Sequence, residues 1–265
     1  MKSCFRKHFN QRYSKDRNGS FIMACKKGAL EHVRRMVEIC GKPLIEFQLK
    51  VLRSCGISDI NLVVGYESQK LESYGIPMYK NDNFDCTNML YSLFCAEEAF
   101  QDDGDLIIAY GDIVYSKDIL KKLLSTRVSV GVVADNNWKE YWAVRFENIL
   151  EDAETFKVNN LNEIIEIGAK AIDILDIQSQ YIGLIKLSDT GKKIFLDEYA
   201  SSSQLMINNK KRENAYMTDF LQELILRGHS INAVSVNSPW IEIDSADDLH
   251  LPSTIKRLRV IQNNL

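Results

Sequence analysis

Asp105-Leu106-Ile107-Ile108-Ala109-Tyr110-Gly111-Asp112-Ile113 is the stretch on which the fold turns. Leu106 to Tyr110 is a short apolar run without polar alternation, the pattern of a strand buried on both faces in a parallel sheet. It stops at Gly111-Asp112. Glycine lets the backbone approach a ligand closely. The carboxylate after it sits at the carboxyl end of the strand, the edge where open α/β sheets bind their ligands. An acid there either holds a divalent cation or caps the following helix. The next helix begins only near Ser116-Lys117-Asp118, and Ser116 can cap it. The balance favours a metal or ligand role for Asp112.

Upstream, Phe21-Ile22-Met23-Ala24 reads as the first strand, running into Cys25-Lys26-Lys27-Gly28 and a helical stretch through Arg34-Arg35-Met36. A strand, a glycine-bearing loop and a helix start can hold phosphate through free N–H groups and the helix dipole. Only one glycine is present, so the surrounding lysines and arginines are either a cationic wall for phosphate or a solvated helix face. Gly41-Lys42-Pro43-Leu44 opens a helix that Cys55-Gly56 closes. Ile57–Tyr66 and Met78–Asn81 read as strands, and Thr87-Asn88 as the cap of a helix over Met89–Phe100.

Downstream, Ile119–Leu124 is a helix and Val128–Asp135 a strand. Residues 136–180 break the pattern and read as a β-rich insertion over the ligand edge. Trp138, Tyr141 and Trp142 fall in it with a spacing that suggests no single face, followed by hairpin-like pieces around Asn159-Asn160. Tyr181–Leu187 returns to the sheet, and Ser245 opens the last helix after the extended piece Trp240–Asp244. The expected fold is α/β: a Rossmann-like, predominantly parallel mixed sheet with helices on both faces and a β-rich insertion.

The chain's 265 residues, 45 % of them apolar, suffice for one large domain over 21–265, preceded by a basic tail over 1–20 that reads as mobile. Asp16 and the low serine content weigh against reading that tail as a transit peptide. A net charge of −3 leaves no electrostatic footprint for nucleic acid. No apolar run approaches the roughly 20 residues of a membrane span. Six cysteines without a CxxC pair suit reduced thiols in the cytoplasm.

Gly41-Lys42-Pro43-Leu44-Ile45-Glu46-Phe47-Gln48-Leu49 with Gly56-Ile57-Ser58-Asp59-Ile60, then Asn81 and Thr87-Asn88-Met89-Leu90-Tyr91-Ser92-Leu93, then Tyr110-Gly111-Asp112-Ile113, and finally Trp240-Ile241-Glu242-Ile243-Asp244-Ser245 stand in one order. In that order they resemble the nucleotidyltransferases that activate sugar phosphates and phosphocholine, most nearly the phosphocholine and phosphonate cytidylyltransferases. The resemblance spans about residues 21–250. It implies transfer of CMP from CTP to a small phosphorylated or phosphonate acceptor, with pyrophosphate released and Mg²⁺ held by Asp112 and Asp244. It assigns Ala24, Lys26, Gly28, Asn81, Thr87, Asn88, Tyr110 and Gly111 to the nucleotide, and Lys27, Arg34, Arg35 and Lys170 to catalysis. The chain departs from the family at the first loop, where Met23-Ala24-Cys25-Lys26-Lys27-Gly28 has lost most of the glycines; charge is expected to replace them.

On the acceptor side stand Trp138, Trp142, Glu154, Tyr181 and Trp240. Trp138, Tyr141 and Trp142 either form an aromatic box for a quaternary ammonium or pack the insertion. Alternatively, Asp152 and Glu154 meet an amine. Two other functions stay open: a sugar-1-phosphate nucleotidyltransferase using UTP or GTP, and a non-catalytic nucleotide-binding homologue. A homodimer is left open as well.

Overall fold

The computed structural model describes residues 20–24, 37–201, 206–208, 210–237 and 239–264. The tail up to residue 19, and the segment carrying Lys26, Lys27, Gly28, Arg34 and Arg35, lie outside the described residues.

Among the described residues the centre is a seven-stranded sheet. Its order is Asn232–Val236, Val130–Asp135, Gln180–Leu187, Leu106–Tyr110, Ser20–Ala24, Ile60–Val64, Met78–Lys80. Neighbours run parallel except at Gln180–Leu187, which is antiparallel to both Leu106–Tyr110 and Val130–Asp135. The sheet is thus mixed but predominantly parallel and flanked by helices, as the strand–helix alternation required. Leu106–Tyr110 lies mid-sheet, and no residue in it is more than 8 % exposed. Burial of such side chains is worth about 1.5–3 kcal/mol each.

Helix Leu44–Ser54 starts after Pro43, carries Glu46 in its first turn and Arg53 in its last, and buries Leu44, Ile45, Phe47, Gln48, Leu49, Val51 and Leu52. Acid first and base last suit the helix dipole. Gly56, at φ +84°, follows its end. The helix expected over Met89–Phe100 is α-helical only over Met89–Phe94, then resumes as a 3₁₀ turn at Glu97–Phe100. The last helix is Pro252–Asn263, with a 3₁₀ turn at Asp247–Leu249 before it. Proline at the first helical position places that start later than Ser245.

The insertion contains the expected hairpin, Glu154–Val158 paired antiparallel with Ile164–Lys170. It begins, however, with a helix, Trp138–Arg145. Trp138, Tyr141, Trp142 and Arg145 stand at i, i+3, i+4 and i+7, the spacing of one helix face, so the expectation that they share no face is corrected. The hairpin seats on helix Met217–Leu226. Ile167 N–H donates to Gln222 Oε1 at 2.8 Å. Gly168, at φ +83°, comes so close that a Cβ there would stand 2.5 Å from Thr218 Cβ.

A second, smaller core gathers Ile39, Leu44, Phe47, Val114, Ile241, Ile243, Leu258 and Ile261. It clamps the short antiparallel pair Ile113–Tyr115 and Trp240–Glu242 between helices Leu44–Ser54 and Pro252–Asn263. Cys40, Cys55, Cys86 and Cys95 are free thiols. Among the described residues no helix is long and apolar enough to cross a membrane.

Candidate active site

The central strand Leu106–Tyr110 delivers Gly111 and Asp112 to the carboxyl edge of the sheet, and Asp112 is 1 % exposed. The chain then enters Ile113–Tyr115, whose register sets Ile113 opposite Glu242. Ile243 N–H donates to the Asp112 carbonyl at 2.9 Å. Glu242 and Asp244, two residues apart on extended backbone, share a face. The result is a cluster of Asp112, Glu242 and Asp244 whose ligand atoms all lie within 4.8 Å of one another. Carboxylates this close repel unless a cation joins them. Hard oxygen donors suit a divalent cation such as Mg²⁺, which takes one or two of the three carboxylates and completes its octahedron with phosphate and water.

A resident cation holds one side of the cluster. Arg145, its side chain 1 % exposed, pairs with Glu242 at 2.9 Å, Asp244 at 3.4 Å and Asp248 at 2.9 Å. Its guanidinium stands 5.3 Å from the Tyr141 ring centre, 5.5 Å from that of Trp142 and 5.1 Å from that of Phe146. Burial opposes the charge, but Glu242 and Asp248 outweigh it and hold Arg145 above its ordinary pKa. Tyr141, one helical turn before Arg145, fixes the same segment: its hydroxyl accepts from Glu242 N–H at 3.0 Å. Burial pushes the Tyr141 phenol up to about 12, so it remains a neutral donor and acceptor. Beside Arg145 opens a cavity of about 370 Å³, lined by Asp152, Asp244, Asp247, Asp248, Phe146 and Leu251 among others.

The capping alternatives are settled by other residues. Ser116 Oγ accepts Ile119 N–H at the start of helix Lys117–Ser125. At the other segment, Ser245 and Asp248 form the reciprocal pair: Asp248 Oδ2 accepts Ser245 N–H at 2.9 Å, and Ser245 Oγ accepts Asp248 N–H at 3.4 Å. Neither Asp112 nor Asp244 supplies these caps.

On the other side of the central strand, Asn81, Thr87 and Asn88 come together, all at most 6 % exposed. Asn81 Nδ2 donates to Thr87 Oγ1 and Ser92 Oγ, each at 3.0 Å. Asn88 Oδ1 accepts Met89 N–H at 2.8 Å, the cap of that helix. Asn88 N–H in turn donates to the Glu213 carbonyl at 2.8 Å, tying the segment around Arg212–Asn214 to this edge.

Tyr110 and Tyr181 meet edge to face, ring centres 5.6 Å apart. Burial pushes the Tyr110 phenol well above its ordinary pKa. Gly183, at φ +80° in the bulge beyond Tyr181, leaves the room that a Cβ would take 2.6 Å from the Tyr110 ring. Trp138, Trp142 and Trp240 are 0, 3 and 1 % exposed. Trp240 Nε1 donates to buried Asp135 at 2.9 Å, and its ring lies 6.0 Å from that of Trp142. Lys170 is exposed at the end of its strand, in register with Glu154. Ala24 ends the first strand, which pairs it with Tyr110. Sequence reasoning misses Glu242, Arg145 and Asp248. For Glu242 the alternation Trp240-x-Glu242-x-Asp244 is a sufficient signal.

An inositol-1-phosphate CTP transferase from T. maritima shares the fold, with a TM-score of 0.65 at 18 % identity over 90 % of this chain and 97 % of that one. That likeness is one of fold. The family model described as a MobA-like NTP transferase domain matches residues 31–155, which include Asp112. The CTP:phosphoglutamine cytidylyltransferase of Campylobacter jejuni is 37 % identical over 248 residues, 88 % of this chain and 94 % of the relative. The choline-phosphate cytidylyltransferase of Streptococcus pneumoniae is 36 % identical over 225 residues, 81 % of this chain and 85 % of the relative. The chain belongs to the nucleotidyltransferase family that includes these cytidylyltransferases.

Proposed function

We propose that the protein transfers CMP from CTP to a small phosphorylated or phosphonate acceptor that carries an amine, releasing pyrophosphate. The observation that carries this reading is the Asp112, Glu242, Asp244 cluster at the carboxyl edge of the central strand. An acceptor phosphate or phosphonate oxygen bonds to the α-phosphorus as the bond from that phosphorus to the α–β bridging oxygen breaks. The attacking oxygen is already ionised near neutral pH, so no general base is needed. The difficulty is to bring two anions together, and catalysis is mostly positioning and charge stabilisation. Mg²⁺, when bound to Asp112, Asp244 and Glu242, supplies neutralisation of the triphosphate oxygens. Lys26 or Lys27, with Gly28 and Arg34 or Arg35, holds the triphosphate, and Lys170 meets the acceptor's phosphate. Asn81, Thr87 and Asn88, with Tyr110 and Gly111, border the nucleoside.

The acceptor's amine sits in the cavity beside Arg145. Arg145 already stacks on the aromatic rings, while Asp152, Asp247 and Asp248 line the opening. Carboxylates there suit a primary ammonium, which donates hydrogen bonds, better than a quaternary one, which cannot. Pyrophosphate release with CTP, UTP and GTP against aminoethylphosphonate, phosphoethanolamine, phosphocholine, phosphorylated glutamine and glucose 1-phosphate tests both parts. Release with CTP and a primary-amine acceptor is expected. Release only with UTP or GTP and glucose 1-phosphate would replace this reading by a sugar-phosphate one.

A further inference from the structure

Helix Leu44–Ser54 buries an otherwise apolar face, yet Gln48 lies on it, 1 % exposed. A leucine or methionine would continue that face with no amide to desolvate, and a buried amide costs stability unless it is hydrogen-bonded. Gln48 Nε2 donates to the Tyr110 carbonyl at 2.9 Å and to the Ile113 carbonyl at 2.6 Å. Those two carbonyls flank Gly111-Asp112. Both amide hydrogens are used, and the orientation is fixed by its acceptors, since a flipped amide would turn its oxygen onto two carbonyls. On the opposite side the Asp112 carbonyl accepts Ile243 N–H at 2.9 Å. The backbone that carries Asp112 is therefore tied to the helix by one side chain and to the Glu242–Asp244 segment by the main chain.

We infer that Gln48 is a positioning residue for Asp112: by spanning the Tyr110–Ile113 loop it fixes where the Asp112 carboxylate meets a divalent cation. The inference rests on the metal role given to the cluster under the proposed function. The Gln48 amide ends on two backbone carbonyls and not on the Asp112 carboxylate. It acts through the loop, as the outer partners of metal ligands do, and loss of such a partner typically weakens metal binding about 10–100-fold.

The test is Mn²⁺ titration of the nucleotide-free protein, followed by the electron paramagnetic resonance of free Mn²⁺. Gln48→Met keeps the volume and removes both donors. Gln48→Asn keeps an amide but withdraws it by one methylene, so it serves if the first variant folds poorly. The control is Phe195→Leu, a fully buried residue that packs on Phe220 in the main core, chosen to lower Tm comparably. Mn²⁺ affinity is expected to fall about tenfold or more in Gln48→Met, less in Gln48→Asn, and not at all in Phe195→Leu. Wild-type affinity in both Gln48 variants, or an equal loss in Phe195→Leu, overturns the inference and leaves the metal reading standing. Absence of Mn²⁺ binding by the wild-type protein overturns both.

Discussion

Asp112 and Ile243 are joined by a backbone hydrogen bond of 2.9 Å, although they lie far apart in the sequence. That bond brings the two acidic segments into one ladder, so Asp112 and Asp244 occupy the same small volume without any covalent link. Replacing either carboxylate by its amide keeps the shape and removes the charge a cation needs. Asp112→Asn and Asp244→Asn are each expected to lose nearly all turnover, with Tm within a few degrees of wild type. Mg²⁺-dependent turnover at the wild-type level in either variant would reject the paired-carboxylate site.

Arg145 pairs with three carboxylates beside the site. Arg145→Met leaves Glu242, Asp244 and Asp248 without their shared cation, and breaking a buried pair from one side costs about 3–5 kcal/mol. Arg145→Lys keeps the charge but not the fork that reaches three carboxylates, and is expected to recover only part of that loss. Urea unfolding of the three proteins measures the order; equal stability of Arg145→Met and wild type would show that the cluster does not need its cation.

Away from the site, Glu198 Oε1 lies 2.6 Å from His229 Nε2, and Glu198 Oε2 lies 2.7 Å from Arg227 Nη1. The His229 hydrogen bond first, and then Arg227, hold the Glu198 carboxyl below the usual range. A depressed carboxyl pKa contributes stability that is complete above the unfolded value, about 4.3, and is lost as pH falls through the folded one. Glu198→Gln should therefore melt lower than wild type at pH 7, with the gap closing below about pH 4. The group is partly exposed, so the gap corresponds to about 1 kcal/mol or less. Melts at stepped pH would expose a constant gap, which this account does not allow.

Gly168 is held at φ +83° with Thr218 against it. Gly168→Ala is expected to cost stability both through the left-handed backbone and through the contact with Thr218, by about 1–3 kcal/mol. Gly228, at φ +87°, has open space where a Cβ would stand, with nothing within 4 Å. It isolates the backbone part, so Gly228→Ala should cost less. Thermal melts of both variants give the comparison.

The sheet was legible because buried parallel strands are written as unbroken apolar runs, as in Leu106–Tyr110, and because each run ends in a loop or cap that carries its own residue type. Asp112 and Asp244 were legible for the same reason: an acid directly after such a strand has few other uses. The helix Trp138–Arg145 was hidden by its aromatic composition, which suits strands as well as helices. Arg145 and Gln48 were not legible. Gln48 looks like an exposed polar position on a helix and Arg145 like a charged position in a β-rich insertion, and each is buried only because partners from distant parts of the chain arrive around it: three acids for Arg145, two carbonyls for Gln48. Burial of that kind is a property of the assembled fold and leaves no local pattern.

The smaller core around Ile241, Ile243, Leu258 and Ile261 gives the protein a schedule. During synthesis Asp112 leaves the ribosome long before Glu242 and Asp244, and the central strands can pair while the closing segment is still unmade. The acid cluster cannot form until that segment docks against helix Leu44–Ser54. A partly made chain thus carries one isolated carboxylate, and the three-acid cluster arrives only with the closing segment.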